Sequence, residues 1–130
     1  MTRERLKAYI QLEHELQDLM DVWKKLDKKK ASLNRNINGI PKTSNQKIIE
    51  DIVAEIDLAA YNYHQKYLEV LNEKNEIEEF IGKLNTVLLR NIFRAKYFEE
   101  ATWTRVAEKL GYSESPSYLR KLHDNIFKVN

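Results

Sequence analysis

The feature that most restricts how this chain can fold is a pair of apolar seams within the first two thirds of its 130 residues. From Leu12, apolar side chains recur in steps of four and three through Leu16, Leu19, Trp23 and Leu26, then Leu33 and Ile37, with Lys30 as the polar member. A second seam runs through Ile49, Ile52, Ile56, Ala59, Tyr63, Lys66, Val70, Glu73, Ile77, Phe80 and Leu84 in the same steps. That period puts every member on one side of an α-helix, and an apolar side needs a partner helix to cover it.

Between the seams lies NGIPKTSNQ. Asn38-Gly39 supplies a left-handed helix stop, and Pro41 forbids simple continuation. Thr43 with Gln46 three residues on has the spacing of a capping box. An αα-hairpin follows, with arms of about 35 residues, or about 50 Å at the α-helical rise. The predicted fold class is all-α: a long antiparallel helical hairpin of coiled-coil type over residues 1–81, then a helix-turn-helix domain over 82–130.

Tyr61, Tyr63 and Tyr67, with Trp23, sit at helical spacing and read as packing rather than a ligand box. Lys30, Lys66 and Glu73 interrupt the seams; either their stems pack while their charges reach water, or they set register or oligomer state. Two seams of this length offer more apolar stripe than one hairpin covers, so a homo-oligomer, a dimer first, is expected through Leu12, Leu16, Leu19, Trp23, Leu26, Ile56, Tyr63 and Val70. The run KKLDKKK at 24–30 points its charges all round the helix and reads as a solvated surface.

Composition excludes several function classes. Without cysteine there is no disulfide framework and no thiolate site, which fits a reducing cytoplasm. No run of about eighteen apolar residues is present, and the start MTRERLKAYIQLEHEL is charged and amphipathic, so neither a membrane span nor a signal peptide is expected. Glycine occurs only at 39, 82 and 111, which leaves no phosphate-binding loop. His14, His64 and His123 are scattered and read as structural; no metal-ligand spacing appears. No enzyme, cofactor or metal is expected.

The net charge of +2 is unevenly spread, since residues 83–130 carry nine Lys+Arg against five Asp+Glu. The basic excess coincides with a bent helix pair. Gly82 predicts a bend, and KLNTVLLRNIFRAKYF a helix with Leu84, Val87, Leu88, Ile92 and Ala95 as its apolar set. Thr102 is placed to cap the next segment, Trp103 to Leu110, whose apolar face is Val106, Ala107 and Leu110, and Gly111 closes it. A helix-turn-helix needs a small residue where its helices cross and a glycine at the turn, and Ala107 and Gly111 supply them. Ser113 is the first candidate cap for the following helix, with Ser115 the alternative because Pro116 suits a first helical turn. Leu119, Leu122 and Ile126 then form an apolar back, leaving Ser117, Arg120, Lys121, Asp124 and Lys128 opposite.

The stretch LLRNIFRAKYFEEATWTRVAEKLGYSESPSYLRKLHDNIF resembles the helix-turn-helix of sigma-70 region 4. Trp103, Val106-Ala107, Leu110-Gly111-Tyr112-Ser113 and Leu119-Arg120-Lys121-Leu122-His123 fall at the motif positions. The layout is similar to phage-encoded transcription regulators of the ArpU/RinA type, with SESPSY two residues longer than the sigma-like pattern. The resemblance implies a cytoplasmic transcription regulator that binds double-stranded DNA, with RNA polymerase as a further partner. Arg120 and Lys121 would then reach the groove, Arg120 reading a guanine and Lys121 a phosphate. Thr104, Arg105, Ser115 and Tyr118 would meet the backbone, with Ser117 beside them. The other readings are a small terminase subunit that recognises viral DNA for packaging, and a helical adaptor that binds no DNA.

Overall fold

The computed structural model describes residues 1–35 and 42–128. It is all-α, with α1 (Arg3–Arg35), α2 (Lys42–Gly82), α3 (Val87–Tyr97), α4 (Trp103–Leu110) and α5 (Pro116–Ile126). The expected stop at Asn38-Gly39, Pro41 and the seam position Ile37 lie outside the described residues. Because α2 begins at Lys42, Thr43 lies inside the helix rather than before it, and Gln46 Nε2 donates forward to Glu50 Oε1 at 3.2 Å instead of reaching back to a cap.

The described chain divides into two compact units, one of residues 13–70 and one that combines 1–12 with 71–130. In the first, α1 and α2 pack antiparallel along the two seams. Ile52 and Ala59 are buried, Val70 closes the end, and Leu16, Leu19, Trp23, Leu26, Ile56 and Tyr63 are half-buried while most residues between them are exposed. Trp23 meets Tyr63 with ring centroids 5.6 Å apart and His64 at 5.8 Å. Lys66, the polar member of its seam, is held by Glu15 from the opposite arm at 3.0 Å and by Glu69 at 3.1 Å. The hydrogen bond to Glu15, then the one to Glu69, raises its pKa. A pair across the hairpin at one position favours one register of the arms.

The second unit is built differently from a domain that begins at Gly82. Leu6 and Tyr9 of α1 and Ile77 and Ile81 of α2 are fully buried or nearly so and belong with the three short helices. Tyr9 packs edge-on against Phe98 at 5.7 Å, Phe80 against Phe93 at 5.8 Å, and Arg5 pairs with Glu73 at 2.5 Å and with Glu76. Each such aliphatic side chain removed from water contributes about 1.5–3 kcal/mol, so Leu6, Ile77 and Ile81, with the Tyr9 ring beside them, are a large share of a small core. The connection after Gly82 is not an open bend. Lys83 and Leu84 bond back to Phe80 and Ile81, Arg90 donates to the Leu84 carbonyl at 2.6 Å, and Leu84 is buried there rather than inside a helix. The helix expected from Lys83 therefore starts at Val87, capped by Thr86, whose hydroxyl accepts from the Leu89 amide at 3.1 Å. Val87, expected in the apolar set, is 62% exposed.

Candidate nucleic-acid interface

Helices α3, α4 and α5 pack on one another around Ile92, Ala95, Val106, Ala107 and Leu119, with Leu88, Ala101, Trp103, Leu110 and Leu122 at the margin. The core uses the residues that the 3.6-residue periodicity assigns inward. Thr102 caps α4 as expected, its hydroxyl accepting from the Arg105 amide at 3.2 Å. Gly111 ends α4 with φ 81°, and the Tyr112 amide bonds the Ala107 carbonyl at 2.8 Å, a closure that favours glycine because a Cβ is strained at that φ. Ala107 is wholly buried where a small residue was required.

The turn runs from Gly111 to Ser115 and is tightened by the Ser115 amide on the Tyr112 carbonyl at 2.8 Å. Because α5 starts at Pro116, Ser113 lies within the turn and Ser115 takes the cap position without a side-chain hydrogen bond. Tyr112 and Tyr118 meet across this turn with ring centroids 6.0 Å apart and planes tilted by 37°, both well exposed.

His123 sits at the centre of the unit, 4% exposed, against Phe93, Trp103 and Phe127 at 4.8, 5.1 and 5.2 Å. Its Nε2 lies 2.6 Å from the Tyr97 hydroxyl and its Nδ1 2.9 Å from Asp124 Oδ1. Burial pushes the Tyr97 hydroxyl up to about 12, so it donates to Nε2. The hydrogen bond from His123, then the charge of Arg3, holds Asp124 below the usual carboxylate range, so it accepts from Nδ1–H. Burial lowers the imidazole itself, opposed by the bond to Asp124. These directions assign a neutral imidazole with its proton on Nδ1. Asp124 also receives Arg3 at 2.9 Å, and Arg3 lies over the Phe127 ring at 5.2 Å. Asp124, which the helical wheel leaves among the outward residues, is thus committed to α1 and to His123.

With Leu119 facing the core, 100° per residue places Ser117 and Lys121 within about 30° of the direction opposite Leu119, while Lys128 lies past the end of α5 at Ile126. Arg120 lies on one flank, 65% exposed, with its Nε 3.9 Å from Asp124, and Tyr118 on the other. Thr104 and Arg105 are exposed on the first turn of α4, Arg105 reaching Glu108 at 3.4 Å. Thr104, Arg105, Ser115, Ser117, Tyr118, Arg120 and Lys121 are therefore all on the surface of one three-helix unit. Leu12, Leu16, Leu19, Trp23, Leu26, Ile56, Tyr63 and Val70, put forward as an oligomer interface, follow the seams between the two arms. Among the described residues no group of His, Cys, Asp and Glu could hold a metal ion, and no helix is long and apolar enough to cross a membrane.

The geometry is that of a helix-turn-helix unit: two short helices joined at a left-handed glycine and backed by a third. Residues 42–130 match a family described as a protein of unknown function (DUF1492), and since that is more than half of the chain, the protein belongs to this family. No curated protein and no solved structure matches the chain.

Proposed function

We propose that the protein is a sequence-specific DNA-binding transcription regulator of the phage or prophage late-gene type, acting in the cytoplasm on double-stranded DNA. The observation that carries this reading is the division of α5. Its back is spent on the core through Leu119 and His123, while its front presents Ser117 and Lys121 to solvent with Arg120 beside them. A helix with that division can lie in a major groove, where a lysine reaches guanine edges and flanking cations meet phosphate. The geometry favours exchanging the two roles taken from the resemblance. Lys121 at the centre of the front is the base reader, and Arg120 on the flank is the phosphate contact.

Selection of binding sites from a randomised duplex pool, followed by titration of variants, tests the assignment. Lys121→Ala should cost about 1–3 kcal/mol on the selected site and relax preference at one base pair, while Arg120→Ala should weaken all sequences and lower the salt slope by about one. Recovery of no preferred site would remove sequence specificity from the reading.

A homo-oligomer belongs to the same proposal, through a surface other than the seams. On the side of α2 away from α1, Leu58, Tyr61 and Leu68 are 61%, 62% and 52% exposed and recur at helical spacing. Such a stripe is available to a second copy. A monomeric mass of 15.5 kDa by light scattering would remove this part, and with it the spacing of two half-sites on the DNA. Docking of RNA polymerase by the hairpin belongs to the same proposal and rests on the sigma-like motif.

A further inference from the structure

Beside the flank of α5 that carries Arg120 lies a cavity of about 260 Å³. Trp103 and Tyr97 contribute aromatic wall, and four cations from three helices line it: Arg3 and Lys7 of α1, Lys96 of α3 and Arg120 of α5. Two carboxylates, Glu100 and Asp124, line it as well. Asp124 is taken up by Arg3 and His123, both at 2.9 Å. Lys96 is half-buried, with its ammonium 4.8 Å above the Trp103 ring and a hydrogen bond of 3.0 Å to the Ala101 carbonyl. Burial, and after it the charge of Arg120, pulls the Lys96 pKa down. Lys96 and Arg120 thus line one cavity, Arg120 with Asp124 at 3.9 Å, and both cations can donate to an anion seated there.

A recognition helix does not by itself require this arrangement. Arg3 and Lys7 come from the opposite end of the sequence and belong to no part of the helix-turn-helix. The volume is below the roughly 300–1,000 Å³ of pockets that enclose drug-sized molecules. It accommodates a phosphate group with its ester links.

We infer that the mouth of this cavity clamps one phosphate of the DNA backbone, with Lys7, Lys96 and Arg120 as the donors, beside the face of α5 that enters the groove. The clamp rests on the DNA-binding reading above. A phosphodiester offers one negative charge and two free oxygens, which ammonium and guanidinium groups meet with charge-assisted hydrogen bonds. Contacts of this kind fix the orientation of a protein on a duplex and carry no sequence information. Residues of the first helix therefore set the angle at which α5 is presented.

The test is a salt titration of a labelled mixed-sequence duplex with the full chain, comparing wild type with Lys7→Gln, Lys96→Gln and, as a control on the hairpin arm, Lys25→Gln. The clamp requires the slope of log affinity against log salt to fall by about one for Lys7→Gln and for Lys96→Gln, with no change for Lys25→Gln. Lys7 is exposed, so its variant keeps the test informative even if loss of the Lys96 bond to Ala101 lowers stability, which thermal unfolding would reveal. Binding of the duplex with an unchanged slope in Lys7→Gln overturns the clamp and leaves the DNA-binding reading standing, as does an equal loss in Lys25→Gln. Failure of wild type to bind the duplex at low salt overturns both. Calorimetric binding of inorganic phosphate that Lys7→Gln abolishes, with duplex affinity untouched, assigns the cavity to a free anion and overturns the clamp.

Discussion

At the scale of single residues, the three-helix unit is tied together by a chain of polar contacts from Tyr97 through His123 and Asp124 to Arg3. Its members titrate with consequences of known sign. His123 is buried and its pKa lies below the ordinary 6.5, so as pH falls through that value the unfolded chain takes up the proton first and stability drops. Asp124 acts in the same direction at lower pH, because its folded pKa lies below 3.8 and its contribution is lost as pH falls below that value. Tyr97 acts at the alkaline end: with its pKa raised from 10.0 to about 12, the folded form keeps its proton longer and stability falls as pH rises between the two. Urea unfolding between about pH 7.5 and 5 should show stability decreasing with acid. His123→Gln should be less stable at neutral pH by about 1–3 kcal/mol and should lose most of that acid slope. An unchanged slope in the variant would place the titration elsewhere.

At the scale of elements, two glycines, Gly111 expected to close a helix and Gly82 expected at a bend, have opposite requirements. Gly111 holds φ 81°, and a Cβ there would meet nothing within 4 Å, so Gly111→Ala should cost about 1 kcal/mol through backbone strain alone. Gly82 is the last residue of α2, outside the left-handed region and equally open, so Gly82→Ala should be neutral or stabilise by about 0.4–1 kcal/mol. Chemical denaturation of the two variants decides the contrast; equal losses would contradict it. The hairpin seams, the Thr102 cap, Ala107 at the crossing and the Gly111 closure were all legible, because each depends on spacing within a few residues. The sequence pattern places the start of α3 too early because Leu84 and Val87 fit its period. Leu84 is buried by the connection and Val87 by nothing, and a helical wheel distinguishes neither case.

At the scale of the whole molecule, the sequence divides at its glycine while packing divides the chain elsewhere. The seam legible in the sequence begins at Leu12 because the stretch before it is charged, although Leu6, Tyr9, Glu13 and Leu16 continue a helical stripe toward the N-terminus with one polar member. What no local pattern contained was the long-range pairing: Arg3 with Asp124 is separated by 121 residues. Residues 82–130 produced alone lack Leu6, Tyr9, Ile77 and Ile81, and should melt well below the full chain and with weaker cooperativity. A fragment as stable as the full protein would show that the first twelve residues contribute nothing to the unit.

The proposed binding of duplex DNA by the front of α5 is tested at Arg120 and Lys121 together, because neither supports the core. In a fluorescence anisotropy titration at fixed salt, Arg120→Ala/Lys121→Ala should bind the selected duplex at least tenfold more weakly than wild type, with helicity by circular dichroism and oligomeric mass unchanged. A double variant that is equally folded and binds the duplex as tightly as wild type would contradict the account.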